Sequence, residues 1–496
     1  MISLYDEFKN YSDKNIYPCH MPGHKRHAFE YLPAEFSSID FTEVSGLDDL
    51  HDPSGIILDA QKNTASVLGA DESFFLVNGS TAGILAAVSA CTEKGGKILI
   101  CRNCHRSAYN AIYLRELKPV YIFPKVMEMP CITDAVNAED VRKALDEKND
   151  VQAVLIVSPT YEGRLADIEE IAEAVHEKGI PLIVDEAHGA HLSFMEESRS
   201  DAIRCGADIA IQSVHKTLPA PTQTSVLSVK GSLVNRDKLR RFLSIYQSSS
   251  PSYPLMSMID GCIRYMDENS GELIPAFRYN FENLLKHLEV CDKLIFRPSV
   301  EELRSGKADY GKLLICTGEL GVSGAEAAGI LRDKYGIETE MACPGYVLAM
   351  FTVCDDEAGY DRVAEALISL DRSFADIDVC HGSRAGAEVP GIEAVDVGTL
   401  FGKTGNKTSD AEDLPVPVTK MSISDAVDSE REYIPLEDSA GRICTDIISM
   451  YPPGTPILAP GEEITEAHRD YLLRCISKGY NIKGIGDEGI SVVKNG

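Results

Sequence analysis

The chain has 496 residues, 44% hydrophobic and 25% charged, the composition of a globular protein long enough for two or three domains. Its 48 basic and 77 acidic residues leave a net charge of −29, which argues against nucleic acid or an anionic membrane as partner, serves solubility, and would help attract a cationic substrate. The stretch Met1 to Phe8 is polar without a signal-peptide core, no apolar run approaches membrane-spanning length, and the 14 cysteines are scattered, so the chain reads as cytoplasmic with reduced, buried thiols.

Residues 1–56 read as an irregular arm containing Met21-Pro22-Gly23-His24-Lys25-Arg26 and, further on, Leu47-Asp48-Asp49-Leu50-His51. A helix is expected over Ile57–Leu68 and a strand over Phe74–Val77. Asn78-Gly79-Ser80-Thr81 then turns into a helix over Ala82–Cys91. Such a turn offers free amides, hydroxyls and the positive end of a helix dipole to a phosphate, although a plain N-cap would look the same. Lys97–Cys101 is the next expected strand, followed by Arg102-Asn103-Cys104-His105-Arg106 and a helix to about Leu117. Cys101 and Cys104 form the only close cysteine pair, and without a second pair they make no zinc site. Strands over Val120–Phe123 and Val151–Val157 and helices over Ala138–Lys148 and Asp167–Lys178 continue an alternation that implies a mostly parallel sheet.

The chain's chemistry concentrates after two short apolar runs. Pro181–Val184 leads into Asp185-Glu186-Ala187-His188-Gly189-Ala190-His191, and Ile209–Gln212 leads into Ser213-Val214-His215-Lys216. Runs of this length suit buried parallel strands, and ligands of open α/β sheets sit beyond the carboxyl ends of such strands. Ser225–Val229 is expected as an antiparallel or edge strand. Residues 235 to 300 read as mainly helical, broken at Ser248-Ser249-Ser250-Pro251. Next come a strand over Lys312–Cys316, a helix over Gly324–Tyr335, strands over Ile337–Met341 and Tyr346–Val353, and a helix over Glu357–Phe374. The expected division is an arm over 1–56, a large domain over 57–300, a small α+β domain over 301–380, a linker rich in Gly, Pro, Asp and Thr over 381–417, and a C-terminal segment over 418–496.

An acid after one strand and a Ser-x-His-Lys after the next resemble the cofactor site of fold-type I pyridoxal phosphate enzymes. With Met21 to Arg26, Asn78 to Thr81, Arg102 to His105, Asp185 to His191, Ser213 to Lys216, and the terminal Tyr451-Pro452-Pro453-Gly454 and Pro460-Gly461-Glu462, the chain resembles the bacterial Orn/Lys/Arg decarboxylases. The likeness is to their shorter form, without an N-terminal receiver-like domain. Arg106 departs from the pattern, where lysine is more usual.

The resemblance implies an α/β fold: a fold-type I PLP-dependent transferase-like large domain with a mostly parallel sheet, over 57–300, and smaller α+β C-terminal parts. It implies a pyridoxal 5'-phosphate-dependent decarboxylase of arginine, lysine or ornithine, releasing carbon dioxide and an amine, assembled as a homodimer or larger homo-oligomer. Lys216 would be the Schiff-base lysine, although most lysines are simply solvated. Asp185 would face the pyridinium nitrogen, unless it only caps a helix. His105 would stack on the ring, although a histidine at a helix start is often just a cap. His188 would lie near the ring, and Ser80, Thr81, Ser213 and His215 would contact the phosphate. Glu462, or Asp49 of the arm, would meet the cationic end of the substrate, if either is more than a solvated acid. Two rivals remain: another activity on the same fold, such as an aminotransferase, for which no carboxylate-gripping arginine can be placed, and a metal hydrolase using Asp185, His188 and His191, which leaves Lys216 without a role. A binding protein that kept the fold would have no need of Lys216 and Asp185.

Overall fold

The computed structural model describes residues 2–14, 16–127, 132–148, 150–195, 201–381, 416–450, 455–477 and 480–494. The expected linker, apart from its extreme residues, and the Tyr451-Pro452-Pro453-Gly454 motif lie outside the described residues.

The large sheet comprises β1 (Glu72–Leu76), β2 (Lys97–Cys101), β3 (Lys118–Ile122), β4 (Val151–Val157), β5 (Leu182–Asp185), β6 (Ile209–Gln212) and β7 (Ser225–Val229). Their spatial order is β1-β7-β6-β5-β4-β2-β3. β2 through β6 pair in parallel. β7 runs antiparallel to both β6 and β1, so it lies inside the sheet rather than at its edge. Two consequences follow for the site. The carboxyl ends of β1, β2, β4, β5 and β6 share one edge of the sheet, and the amino end of the reversed β7 joins them there.

The helices in chain order are α1 (Leu4–Asp13), α2 (Ala34–Ser37), α3 (Ile56–Leu68), α4 (Gly79–Cys91), α5 (Arg106–Leu114), α6 (Ala138–Glu147), α7 (Ile168–His176), α8 (Val214–Thr217), α9 (Arg236–Tyr246) and α10 (Tyr253–His287). The arm is less irregular than its sequence suggests. In α1, Ser3 caps the Asp6 N–H, and Leu4 and Phe8, one turn apart, are buried. Phe8 packs on Phe41 and Tyr253, and the Leu4 N–H donates to buried Asp260 at 2.8 Å.

A second, antiparallel sheet has the order β10-β11-β9-β8, from β8 (Ile295–Arg297), β9 (Lys312–Cys316), β10 (Met341–Cys343) and β11 (Tyr346–Met350). Its helices are α11 (Val300–Arg304), α12 (Gly324–Tyr335) and α13 (Glu357–His381). The strand expected over Ile337–Met341 is displaced. α12 ends at left-handed Gly336, and the two-residue link Pro344-Gly345 sets a register in which Met341 faces Leu348 and Cys343 faces Tyr346. The remaining described chain carries α14 (Ile423–Asp428), α15 (Glu466–Ser477) and short antiparallel pairs such as Arg431–Ile434 with Gly489–Val493. Leu436, Cys444, Ile448, Leu458, Leu472, Ile490 and Val492 form the core of this part.

Among the described residues no helix is long and apolar enough to cross a membrane. The twelve cysteines whose side chains are described are free; Cys101 and Cys104 are buried, whereas Cys19 and Cys354 are exposed, against the expectation of uniformly buried thiols.

Candidate active site

One cavity opens at the shared sheet edge. Gly79, Ser80 and Thr81 after β1, Asn103 and His105 after β2, Pro159 and Tyr161 after β4, Asp185 and His188 at the end of β5, and Ser213, His215 and Lys216 after β6 all line it. Residues from five strand ends meet because the strands deliver these carboxyl ends to one side.

One part of the cavity lies at the start of α4. Asn78, the N-cap of α4, makes no side-chain bond to the first N–H groups of the helix. Gly79 makes the sharp entry to α4 at φ +72°. Ser80 Oγ lies 2.7 Å from Ser213 Oγ and donates to Ser225 Oγ at 3.1 Å, which ties the ends of β1, β6 and β7 together. His215 Nδ1–H donates to the Thr224 carbonyl at 2.8 Å, leaving Nε2 as the free ring nitrogen. Burial pulls this imidazole's pKa down, and the Lys216 charge adds to that, while the Thr224 carbonyl opposes.

The acid lies on the neighbouring strand. Asp185 is buried, and its Oδ1 accepts the Ala187 N–H at 3.2 Å. Burial pushes its pKa up, with Lys216 and the Ala187 N–H partly offsetting. The buried carboxylate therefore sits in the cavity with one modest neutral donor, a demand that a cation in the cavity would meet. Asn103 Oδ1 makes the same point: among the described residues it is buried without a partner, and Asn103 lines this cavity.

His105 caps α5. Its Nδ1 accepts the Ser107 N–H at 3.3 Å and lies 2.9 Å from Ser107 Oγ. Burial, with the charges of Lys216 and Arg106, depresses its pKa to about 4, so the ring is neutral at physiological pH. Lys216 stands on α8, and burial lowers its pKa against the opposing pull of Asp185 and Glu340. Its Nζ lies 3.0 Å from His188 Nε2.

The sequence reading missed Lys312. It opens β9 in the small sheet, is only 1% exposed, and places Nζ 2.7 Å from His188 Nδ1 and 3.3 Å from Met350 Sδ. A lysine at the first position of an apolar strand reads as a solvated end, and only the tertiary packing buries it. Gly163, at φ +87°, allows the loop after β4 to lie against its stem: a Cβ there would sit 2.7 Å from Lys312 Cβ.

Two expected substrate contacts are elsewhere. Glu462 is 2% exposed and bidentate on Arg102, with both oxygens 2.8 Å from the guanidinium, while its Oε2 also accepts the Ala459 N–H at 2.7 Å. The Arg102 guanidinium lies 5.8 Å from the Tyr109 ring centroid and 5.1 Å from that of Tyr121. This acid therefore joins the end of β2 to the C-terminal part and does not line the cavity. Asp49 does not line it either; its Oδ1 accepts the His51 N–H at 2.8 Å. Beside it, Asp48 accepts from Ser54, Gly55, Ile57 and Leu58 and so caps α3. In the arm, His24 pairs with Asp40 at 3.1 Å, away from the cavity lining. The metal set is also divided: His191 Nε2 bonds to Asp309 at 2.7 Å, and among the described residues no three His, Cys, Asp or Glu side chains form a metal-holding group.

Comparison with known proteins gives a consistent result. The family model described as Orn/Lys/Arg decarboxylase, major domain, matches residues 3–287, and the Orn/Lys/Arg decarboxylase C-terminal domain matches residues 409–485. An arginine decarboxylase of Bacillus anthracis is 32% identical over 500 residues, covering 99% of this chain and 96% of the relative. The constitutive lysine decarboxylase of Escherichia coli strain K12 is 24% identical, covering 89% of this chain and 71% of the relative. Among solved structures, the lysine decarboxylase of Francisella novicida superposes with a TM-score of 0.80 at 19% identity, over 99% of this chain and 81% of that one. A chain described as SPT with PLP superposes with a TM-score of 0.52 at 16% identity, over 65% of this chain and 78% of that one. The fold is thus that of the lysine decarboxylases and, over about two thirds of the chain, that of a fold-type I enzyme.

Proposed function

The chain belongs to the Orn/Lys/Arg decarboxylase family, and on that premise we propose that it is a pyridoxal phosphate-dependent decarboxylase of a basic amino acid, with arginine its first substrate and lysine next. The observation that carries this reading is the meeting, in one cavity, of a half-buried amine at Lys216, a buried acid at Asp185 and the start of α4 without a side-chain cap. The residues fit the cofactor at each of its polar ends. Ser80, Thr81, Ser213 and the α4 amides suit the phosphate, Asp185 suits a protonated pyridine nitrogen, and His105 supplies a neutral flat ring beside them. The group, when bound, supplies an electron sink for the pair left at Cα as carbon dioxide departs.

The chain's own side chains have distinct tasks. Asp185 keeps a positive charge on its partner atom because burial makes an unpaired carboxylate unfavourable. Lys216, with its lowered pKa, is more often a free amine than a surface lysine would be, and so a better nucleophile for the cofactor's aldehyde. Thr224 fixes the His215 ring so that Nε2 is its free nitrogen, where a phosphate would favour protonation and a charge-assisted bond. The choice of arginine rests on the arginine decarboxylases of Bacillus anthracis and Bacillus subtilis, which match this chain almost end to end at 32% and 31% identity.

The proposal includes a cytoplasmic setting, in keeping with twelve free cysteines, and a homodimer or larger homo-oligomer. Exposed Tyr17, Met21, Phe29 and Tyr31 in the arm suit a subunit contact. The test of the site is chemical. The purified protein should be yellow, and borohydride should fix the cofactor to Lys216, as read by peptide mass spectrometry. A label on another lysine, or a colourless protein carrying zinc, would overturn the assignment.

A further inference from the structure

The order of the strands decides which edge of the cofactor each loop meets. In the pyridoxal ring an axis runs from the pyridine nitrogen to the carbon bearing the aldehyde, with the phosphate arm on one side and the 3-hydroxyl on the other. Asp185 ends β5 and suits the nitrogen, Lys216 follows β6 and suits the aldehyde, and the phosphate contacts follow β1 and β6. β6 adjoins one side of β5 and β4 the other, with β2 beyond β4. The 3-hydroxyl side of the ring therefore faces the loops after β4 and β2.

Most polar groups on that side are committed. After β4, Pro159 carries no side-chain donor and Tyr161 gives its hydroxyl to Glu340. After β2, His105 is engaged with Ser107, and His188, on the β5 loop, has a lysine amine at each ring nitrogen. Asn103 differs: it lines the cavity, and among the described residues neither end of its amide makes a hydrogen bond. The backbone on either side of it is held. The Cys104 N–H donates to the Cys101 carbonyl at 3.1 Å, and the Tyr109 hydroxyl donates to the Arg102 carbonyl at 2.8 Å. The cofactor's 3-oxygen is an acceptor and calls for the NH2 end of the amide, which carries two donors.

We propose that Asn103 holds the cofactor's 3-oxygen, its Nδ2–H donating to that oxygen on the side of the ring away from the phosphate. The donated bond draws charge from the oxygen, which then holds less strongly the proton on the neighbouring nitrogen that joins Lys216 to the cofactor. That nitrogen therefore gives up its proton at a lower pH than it would without Asn103. The charged and titratable groups around Lys216 are Asp185, His188, His105, His215, Lys312 and Glu340, and all of them remain when Asn103 alone is replaced. The inference rests on the reading of Lys216 as the cofactor's lysine, and borohydride trapping of the wild-type holoprotein tests that reading separately.

The experiment follows the visible absorbance of the full-length, substrate-free holoprotein across pH, with the dissociation constant of pyridoxal phosphate measured beside it. In Asn103→Ala the midpoint of the colour change should rise by about half a unit to one unit, the worth of one hydrogen bond. The cofactor should also bind about three- to tenfold more weakly. Asn103→Leu, which keeps the volume and lacks the donor, should move the midpoint the same way and decides the matter where Asn103→Ala does not fold. A midpoint unmoved or lowered in these variants, with the cofactor still trapped on Lys216, would overturn the proposal. So would a rise in Tyr161→Phe with none in Asn103→Ala, which would give the contact to Tyr161. A wild-type protein with no chromophore on Lys216 would overturn the underlying reading and the proposal together.

Discussion

Asp185→Asn should keep the cofactor and lose turnover by about a thousandfold or more, roughly 4 kcal/mol in the barrier. The substitution preserves shape, and an amide oxygen can still accept the Ala187 N–H that Asp185 Oδ1 accepts now. The negative charge is what it removes. Burial already makes the carboxylate costly at this position, so its retention implies a partner that repays the cost, and a pyridinium nitrogen is such a partner. Visible absorbance would report cofactor retention while carbon dioxide release reports the rate. A variant turning over at near wild-type speed would show that Asp185 merely caps the Ala187 turn.

Glu462→Ala should act on stability. Both of its oxygens are committed to Arg102, and removal leaves a guanidinium 7% exposed, beside two tyrosine rings, without its anion. Breaking such a buried pair from one side costs about 3–5 kcal/mol. The pair connects Arg102, at the end of β2, to a residue 360 positions later. The variant should therefore show a lower first thermal transition, with the Michaelis constant of the folded enzyme unchanged at low temperature. An unchanged transition with a raised Michaelis constant would restore Glu462 to substrate recognition.

The central strands of the large sheet are legible in the sequence because they are buried, short and largely apolar. The expected bounds of β2, β4, β6, β7 and β9 agree with the structure. Lys216, Asp185, His188, His105, Ser80, Thr81, Ser213 and His215 line one cavity because each follows the end of a strand that leads to the same edge. What the sequence conceals depends on distance along the chain. The carboxylate of Glu462 in Pro460-Gly461-Glu462 reads equally well as a substrate contact or as half of an ion pair, and only Arg102 decides. Lys312 reads as the solvated start of a strand, and the cavity that buries it forms only when β9 comes against the β5 loop. The α1 helix was available from the spacing of Leu4 and Phe8 behind Ser3, a signal short enough to be lost in a polar stretch.

The central claim is the class of substrate, and the most direct measurement is carbon dioxide release from arginine, lysine, ornithine, leucine and glutamate presented separately to the same holoprotein. Release from one or more of the three basic amino acids, with arginine first, and little from leucine or glutamate, is the predicted result. Equal turnover of leucine and arginine would contradict it.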